Sequence, residues 1–477
     1  MLLNTACFTR FTRIGAPVLL FILLAFLSQR FYFSSLPLRG VPTAAGKLHI
    51  GVFATSGNYH LCQLHISAAL MGYPAFTLVN WQDPEDKDAM KQHAAKIEGA
   101  IKYIDSIPAE QQDELVFLVD GYDMWFQLPH EYILKRYHEL VAEAHQRHID
   151  EYGQALVAEH NIKTTVIFGP DKECAPGGMD APGCWAVPES LMHPLAFGPE
   201  TDHTKSTQSR PRWLNSGTII GPAHQIRDIL IAAAEERRVA HVTDSDQYYF
   251  GVLYGMQSYA RRLLRLHRDQ SLGIDTVGDS AFLDASRPSS PSDKHFPNIA
   301  NRQSDYSIGL DTNSAIFQTT GFYADYISWV RNNASSDYVR DAARKGNYHH
   351  HFALQDDLKG RGPGQIVGVP ESALGRWETL PLATNTVSRN VPAVMHINGK
   401  KGYRILWWPR MWFYPFLEQI WTHLKSNGNM GSSTIAGQRR AIEGAHTLNQ
   451  QGPGWIDWED VCGKYEDRLM GKSREPN

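Results

Sequence analysis

The stretch LVFLVDGYDMWFQL, Leu115 to Leu128, decides how the rest of the chain is read. Leu115 to Val119 is a short continuous apolar run rich in β-forming residues, the pattern of a strand buried on both faces inside an α/β sheet. It ends abruptly in two carboxylates three residues apart, Asp120 and Asp123, beside Tyr122 and Trp125. A single Asp at a strand end starts a turn and needs no further explanation. Two of them, at the carboxyl end of a strand where open α/β sheets bind ligands, point to a metal or a nucleotide.

On either side of this strand, apolar strands alternate with amphipathic helices. LHIGVFA from Leu48 reads as a first strand, His60 to Met71 as a helix, AFTLV from Ala75 as a second strand and Lys91 to Ile104 as a helix. A long helix through EYILKRYHELVAEAHQRH, strands TTVIFG from Thr164 and WLNSGTIIG from Trp213, and a helix HQIRDILIAAAEERR follow. The expected class is α/β, a mainly parallel sheet sandwiched by helices. Ser271 to Asn301 reads as a polar loop and residues 320–390 as an insertion of mixed structure.

With 477 residues, 43% hydrophobic and 20% charged, the chain can bury one large domain or two smaller ones. A net charge of -4 lacks the basic footprint of a nucleic-acid partner. Arg10 and Arg13 precede an apolar run from Ile14 to Leu27, which predicts a cytosolic tail over 1–13, a signal-anchor transmembrane segment over 14–28 and a stem over 29–46. A cleaved signal peptide is the alternative. The expected location is the Golgi or ER membrane, single-pass type II, with the bulk of the chain lumenal. Cys7 lies in the tail, which leaves Cys62, Cys174, Cys184 and Cys462 in an oxidising space. One disulfide between Cys174 and Cys184 could close the loop they flank, but the pairing is not readable from sequence. The sequon Asn333-Ala334-Ser335 agrees with a secretory location.

No GxGxxG follows the first strand, and neither GxxxxGK[ST] nor GxSxG occurs, which argues against nicotinamide, P-loop and nucleophile-elbow chemistry. The triplets at His148 and His267 read as chance occurrences in a chain with 21 histidines, not as an iron site. His349 to His351 with Asp356 and Asp357 reads as a solvated face. Other strand ends carry polar residues: Asn215 and Ser216 in RWLNSG, Asp244 and Asp246 in TDSDQYY, His396 and Asn398 in VMHING. Two acids and one imidazole, from two strands ending on one side of a sheet, can hold an octahedral divalent ion with positions left for water and phosphate oxygens. A nucleotide-sugar transferase needs that arrangement, because charge grows on the diphosphate as the sugar departs.

The ordered pieces VFATSGNY, AAKIEGAIKYI, FLVDGYDMWF, RWLNSGTIIG, DSDQYYFGVLY, SIGLDTNSAIFQ and VMHINGKKGY cover Lys47 to about Tyr403. In them the chain resembles the glycosyltransferase domain of the procollagen lysyl hydroxylases and their relatives, which has a GT-A fold. The resemblance implies a GT-A glycosyltransferase domain over 47–403 and an aromatic-rich C-terminal extension over 404–477. It makes Asp120, Asp123 and His396 the ligands of Mn2+ or another divalent cation. It sets Tyr122 and Thr55 against the uridine and ribose of a UDP-sugar, with Trp81 stacked on the base. Lys96 matches the family's diphosphate-contacting lysine, and Asn398 and Gly399 the loop that meets phosphate. Asp246 falls in the family's acidic run near the acceptor, and with Asn215 it is expected on the catalytic side. Trp185 resembles an aromatic on the same rim. The chain departs from the pattern where the acidic run shrinks to TDSDQ and LNSGG becomes LNSGT. The implied activity is transfer of a hexose from a nucleotide sugar to a glycan or protein acceptor. The rival is a non-catalytic lumenal sugar-binding protein on a decayed transferase fold, against which stands the retention of both acids, His396 and Lys96. ILWWPRMWFYPFLEQIW, in the extension, is expected to pack onto the domain and cover one side of the sheet.

Overall fold

The computed structural model describes residues 48–83, 89–178, 181–203, 205–240, 242–243, 245–274, 305–332, 354–364, 371–426 and 438–472. The expected anchor at 14–28, Cys7, the Asn333 sequon, His349 to His351 and Asp244 lie outside them. Among the described residues no helix is long and apolar enough to cross a membrane.

The strands are β1 (Leu48–Phe53), β2 (Thr77–Val79), β3 (Leu115–Asp120), β4 (Met124–Phe126), β5 (Val166–Asp171), β6 (Trp213–Pro222) and β7 (Ile308–Leu310). They continue with β8 (Phe317–Thr319), β9 (Ile327–Val330), β10 (Leu382–Asn385), β11 (Val394–His396), β12 (Gly444–Asn449) and β13 (Gly452–Asp457). The main sheet has the order β13-β12-β2-β1-β3-β6-β5-β7. β12, β2, β1 and β3 run parallel, β6 runs antiparallel to both β3 and β5, and β5 and β7 are parallel. The α/β class and the largely parallel sheet expected from the alternation are what the chain adopts, with a reversed strand inside it. A small sheet, β4-β11-β8, lies beside the main one, and β9 pairs with β10.

The central strands are apolar on both faces because both are covered. Ile50, Val52, Phe117 and Val119 join one core cluster with the helix Tyr59–Leu70, whereas Val116 and Leu118 join the other with the helices Ala89–Asp105, Ala223–Ala240 and Asp246–Ser271. The C-terminal aromatics lie in the first cluster. Trp408, Trp412 and Trp421 are buried, and the Trp412 indole donates to the Gln127 carbonyl at 2.9 Å. That segment covers the sheet as expected, and it does more. β12 and β13 extend the sheet beside β2, so the described part of the C-terminal region, 404–426 and 438–472, completes the fold instead of appending to it. Gly46–Asn477 form one compact unit, tied by a Cys62–Cys462 disulfide, and Cys174 pairs with Cys184. Asp357 is not part of a solvated face: Arg136, buried, forks onto its carboxylate at 2.8 and 3.2 Å, while Asp356 stays exposed.

Candidate metal centre

β3 delivers Asp120 at its end, and residues 121–123 turn the chain into β4. Gly121 is required in that turn: its N–H donates to the Phe53 carbonyl at 3.0 Å, and a Cβ there would lie 2.4 Å from the same oxygen. β4 pairs antiparallel with β11, which sets His396 opposite Met124, and the Ile397 N–H donates to the Asp123 carbonyl at 2.6 Å. Residues far apart in the chain thereby meet through one short pairing.

The imidazole rests against a bulge in β6. Phe168 pairs with Ile219 and the next residue, Gly169, pairs with Asn215, so β6 carries three extra residues, Ser216, Gly217 and Thr218. A Cβ on Gly217 would lie 2.2 Å from His396 Cε1. Asn215 fixes the bulge: its Oδ1 accepts from the Gly217 N–H at 3.0 Å, and its amide donates to Asp171 at 3.3 Å.

Ligand atoms of Asp120, Asp123 and His396 all lie within 4.8 Å of one another. His396 Nε2 is 3.4 Å from Asp123 Oδ1 and 3.8 Å from Asp120 Oδ2. The other oxygen of each acid sits on a cation: Lys96 Nζ is 2.6 Å from Asp120 Oδ1, and Arg404 Nη2 is 3.1 Å from Asp123 Oδ2. Asp123 Oδ1 and both ring nitrogens of His396 are buried without a hydrogen bond. Buried polar atoms left so are costly, and two of them, Asp123 Oδ1 and His396 Nε2, face each other at 3.4 Å with Asp120 Oδ2 alongside, an oxygen and imidazole donor set that suits a divalent cation. Burial pushes Asp123 up, but His396, Arg404 and Lys96 outweigh it and hold the carboxyl down at about 2. For His396 burial pulls downward, and Asp123 and Asp120 reverse that to a net rise. Lys96 is likewise raised, burial being outweighed by Asp120 and Asp246.

The remaining expected residues divide. The Tyr122 hydroxyl accepts from the N–H groups of Thr55 and Ser56, each at 3.0 Å, which joins Tyr122 and Thr55 at the end of β1. Asp246 opens the helix Asp246–Ser271 and acts on Lys96. Trp81 is 6% exposed and belongs to the main core, so its ring packs inside instead of offering an open face to a base. Asn398 Oδ1 accepts from the N–H groups of Thr320 and Gly321, and the Gly399 N–H donates to Thr320 Oγ1; these groups hold the turn itself. Asn215 is buried and serves the bulge. Trp185 is buried, edge-on to Tyr259 at 5.8 Å, and not on an open rim. Among the described residues neither His148 nor His267 joins a group that could hold a metal, and His148 meets Thr164 Oγ1 at 2.9 Å, a structural contact.

Sequence reasoning passed over three residues here. Asp171 ends β5 as Asp120 ends β3, and burial pushes its carboxyl up to about 6. The same rule, an acid closing an apolar strand, applied to TTVIFGPD would have found it. Arg404 had a signal in the basic run KKGYR directly after HING. Gly217 had none, because its role depends on a ring from another sheet. No protein-family model matches this chain, and no curated protein matches it.

Proposed function

We propose that the protein is a metal-dependent glycosyltransferase on a GT-A-like fold, transferring a hexose from UDP-hexose to a glycan or protein acceptor in the Golgi or ER lumen, held by its N-terminal segment. One observation carries this reading: Asp120, Asp123 and His396 converge at the carboxyl end of β3 with Asp123 Oδ1 and His396 Nε2 buried, unpartnered and facing each other, and a lysine stands beside them. Open α/β sheets bind nucleotides at such strand ends. Mn2+ or another divalent cation bound by these three residues supplies positive charge for the departing diphosphate. The chain's own residues do the rest. Lys96, kept charged by Asp120 and Asp246, adds a fixed positive charge on the same side. Tyr122, anchored through its hydroxyl to residues 55 and 56, forms with Thr55 a wall at the end of β1 suited to a ribose and base. Asp246, buried at a helix start beside Lys96, stands on the acceptor side. The test is turnover of a panel of nucleotide sugars by the purified protein, read as UDP release with and without Mn2+. Metal-dependent release from one donor is the expected result; sugar binding with no turnover of any donor would favour the non-catalytic reading.

A further inference from the structure

We infer that Arg404 is a second diphosphate-binding cation of this site, standing across the two acids from Lys96; the inference rests on the nucleotide-sugar reading. The two acids are arranged alike. Asp120 turns Oδ2 toward His396 and gives Oδ1 to Lys96, and Asp123 turns Oδ1 toward His396 and gives Oδ2 to Arg404. Two carboxylates and two cations sum to zero when the imidazole is neutral. A divalent ion then leaves the group with two positive charges, matching the two negative charges of a nucleotide-sugar diphosphate. With Asp123 shared between a guanidinium and an ion, Arg404 has donors to spare for an anion.

The pair with Asp123 leaves the Arg404 guanidinium partly unsatisfied: its Nε is buried and meets no acceptor, an expensive state for a charged donor. The residue is also well placed and braced. It lies in the helix Tyr403–Leu406, directly after the turn that holds Asn398 and Gly399. Gln63 donates to its carbonyl at 3.3 Å, and the rings of Tyr403 and Trp407 stack at 4.3 Å on either side of it in sequence. The planar fork of an arginine suits phosphate oxygens, and such charge-assisted bonds are the strong ones.

Calorimetry on the purified full-length protein tests this with UDP, uridine and MnCl2 as the probes. In Arg404→Gln, UDP affinity at saturating Mn2+ should fall by about tenfold or more, as expected for loss of a charge-assisted phosphate contact. Uridine, which has no phosphate, should bind as in the wild type. Mn2+ affinity measured without nucleotide should hold or rise, since Asp123 is freed from a competing cation. Unchanged UDP affinity overturns the assignment, and so does a Mn2+ affinity that falls in step with UDP, which would make Arg404 a prop for Asp123. If the Gln variant fails to fold, Arg404→Lys decides: it keeps a charge without the fork, so UDP should weaken by a smaller factor, and unaltered UDP binding there counts against the assignment. A wild-type protein that binds Mn2+ but no UDP overturns the donor reading itself, an outcome separate from any behaviour of the variants.

Discussion

Gly217→Ala should disable the metal centre without touching a ligand. The added Cβ would lie 2.2 Å from His396 Cε1 and 2.9 Å from both ring nitrogens, whereas real Cβ contacts are not found under 3.0 Å and are uncommon under 3.4 Å. Relieving the closest contact therefore needs a shift of 0.8 Å (3.0 minus 2.2) to 1.2 Å (3.4 minus 2.2). Metal ligands tolerate about 0.2 Å, so the imidazole moves several times too far to coordinate. Its side chain is 3% exposed and cannot swing freely into solvent, so the same overlap should cost about 1–3 kcal/mol of stability, a few degrees in thermal midpoint. Mn2+ affinity by calorimetry should fall by about 10–100-fold, near the loss in His396→Ala. Because Gly217 acts only through the ring, the double variant should bind Mn2+ no worse than His396→Ala alone. Mn2+ affinity in Gly217→Ala within twofold of the wild type would refute the reasoning, since the imidazole would then not be a ligand from its observed position.

The other expectations concern the ligands, a buried lysine and the C-terminus. Asp120→Ala and Asp123→Ala each remove a ligand and a charge, so both should lose Mn2+ affinity by more than His396→Ala, which raised Mn2+ should partly rescue; unchanged affinity in both acid variants would return them to the role of a turn after a buried strand. Lys172 is buried with its ammonium over the rings of Phe197 (3.4 Å), Tyr326 (4.5 Å) and Tyr323 (4.7 Å), and burial pushes it down to about 6. A depressed lysine binds fewer protons folded than unfolded, so its contribution is whole above its ordinary pKa of about 10.5 and is lost as pH falls toward 6. Thermal midpoints of Lys172→Met should accordingly rise less with pH between 6 and 10 than those of the wild type, and parallel curves would show that the rings keep the ammonium charged. A chain ending at Tyr403 loses β12, β13, the partner of Cys62 and the buried tryptophans Trp408, Trp412 and Trp421, and should not fold; a cooperative thermal transition in that fragment would contradict the sheet order.

What could be read from the chain was what is local. Leu115 to Val119 announces a buried strand by composition, and the acids that close it stand out against that run. The helix Tyr59–Leu70 and the strand β6 also sit where period and β-propensity place them. β12 and β13 escaped because GAHTLN and GPGWID are glycine-bearing and lack an apolar run or a clean alternation, and pairing with β2 and with each other makes strands of them. Trp81 is hard to place for a related reason: an aromatic after a strand can face a ligand or the core, and its burial in the main core depends on packing that the local sequence does not show. The Gly399 N–H, a donor of the right chemistry for phosphate, is claimed first by Thr320 Oγ1, and Asn398 Oδ1 accepts from Thr320 and Gly321, all remote in sequence.

The reversed strand explains why the site is where it is. Since β6 runs against β3, the carboxyl end of β3 at Asp120 lies beside the amino end of β6, following the register that pairs Val119 with Thr218. A parallel neighbour would have brought the end of another apolar strand there; the reversal instead brings Asn215, Ser216 and Gly217, small and polar, at a bulge that opens the sheet. Only glycine leaves room for an imidazole at that point, and β11, paired with β4 and β8, supplies one. The acids at the end of β3 become a candidate three-ligand group because strand direction puts an absent side chain next to them.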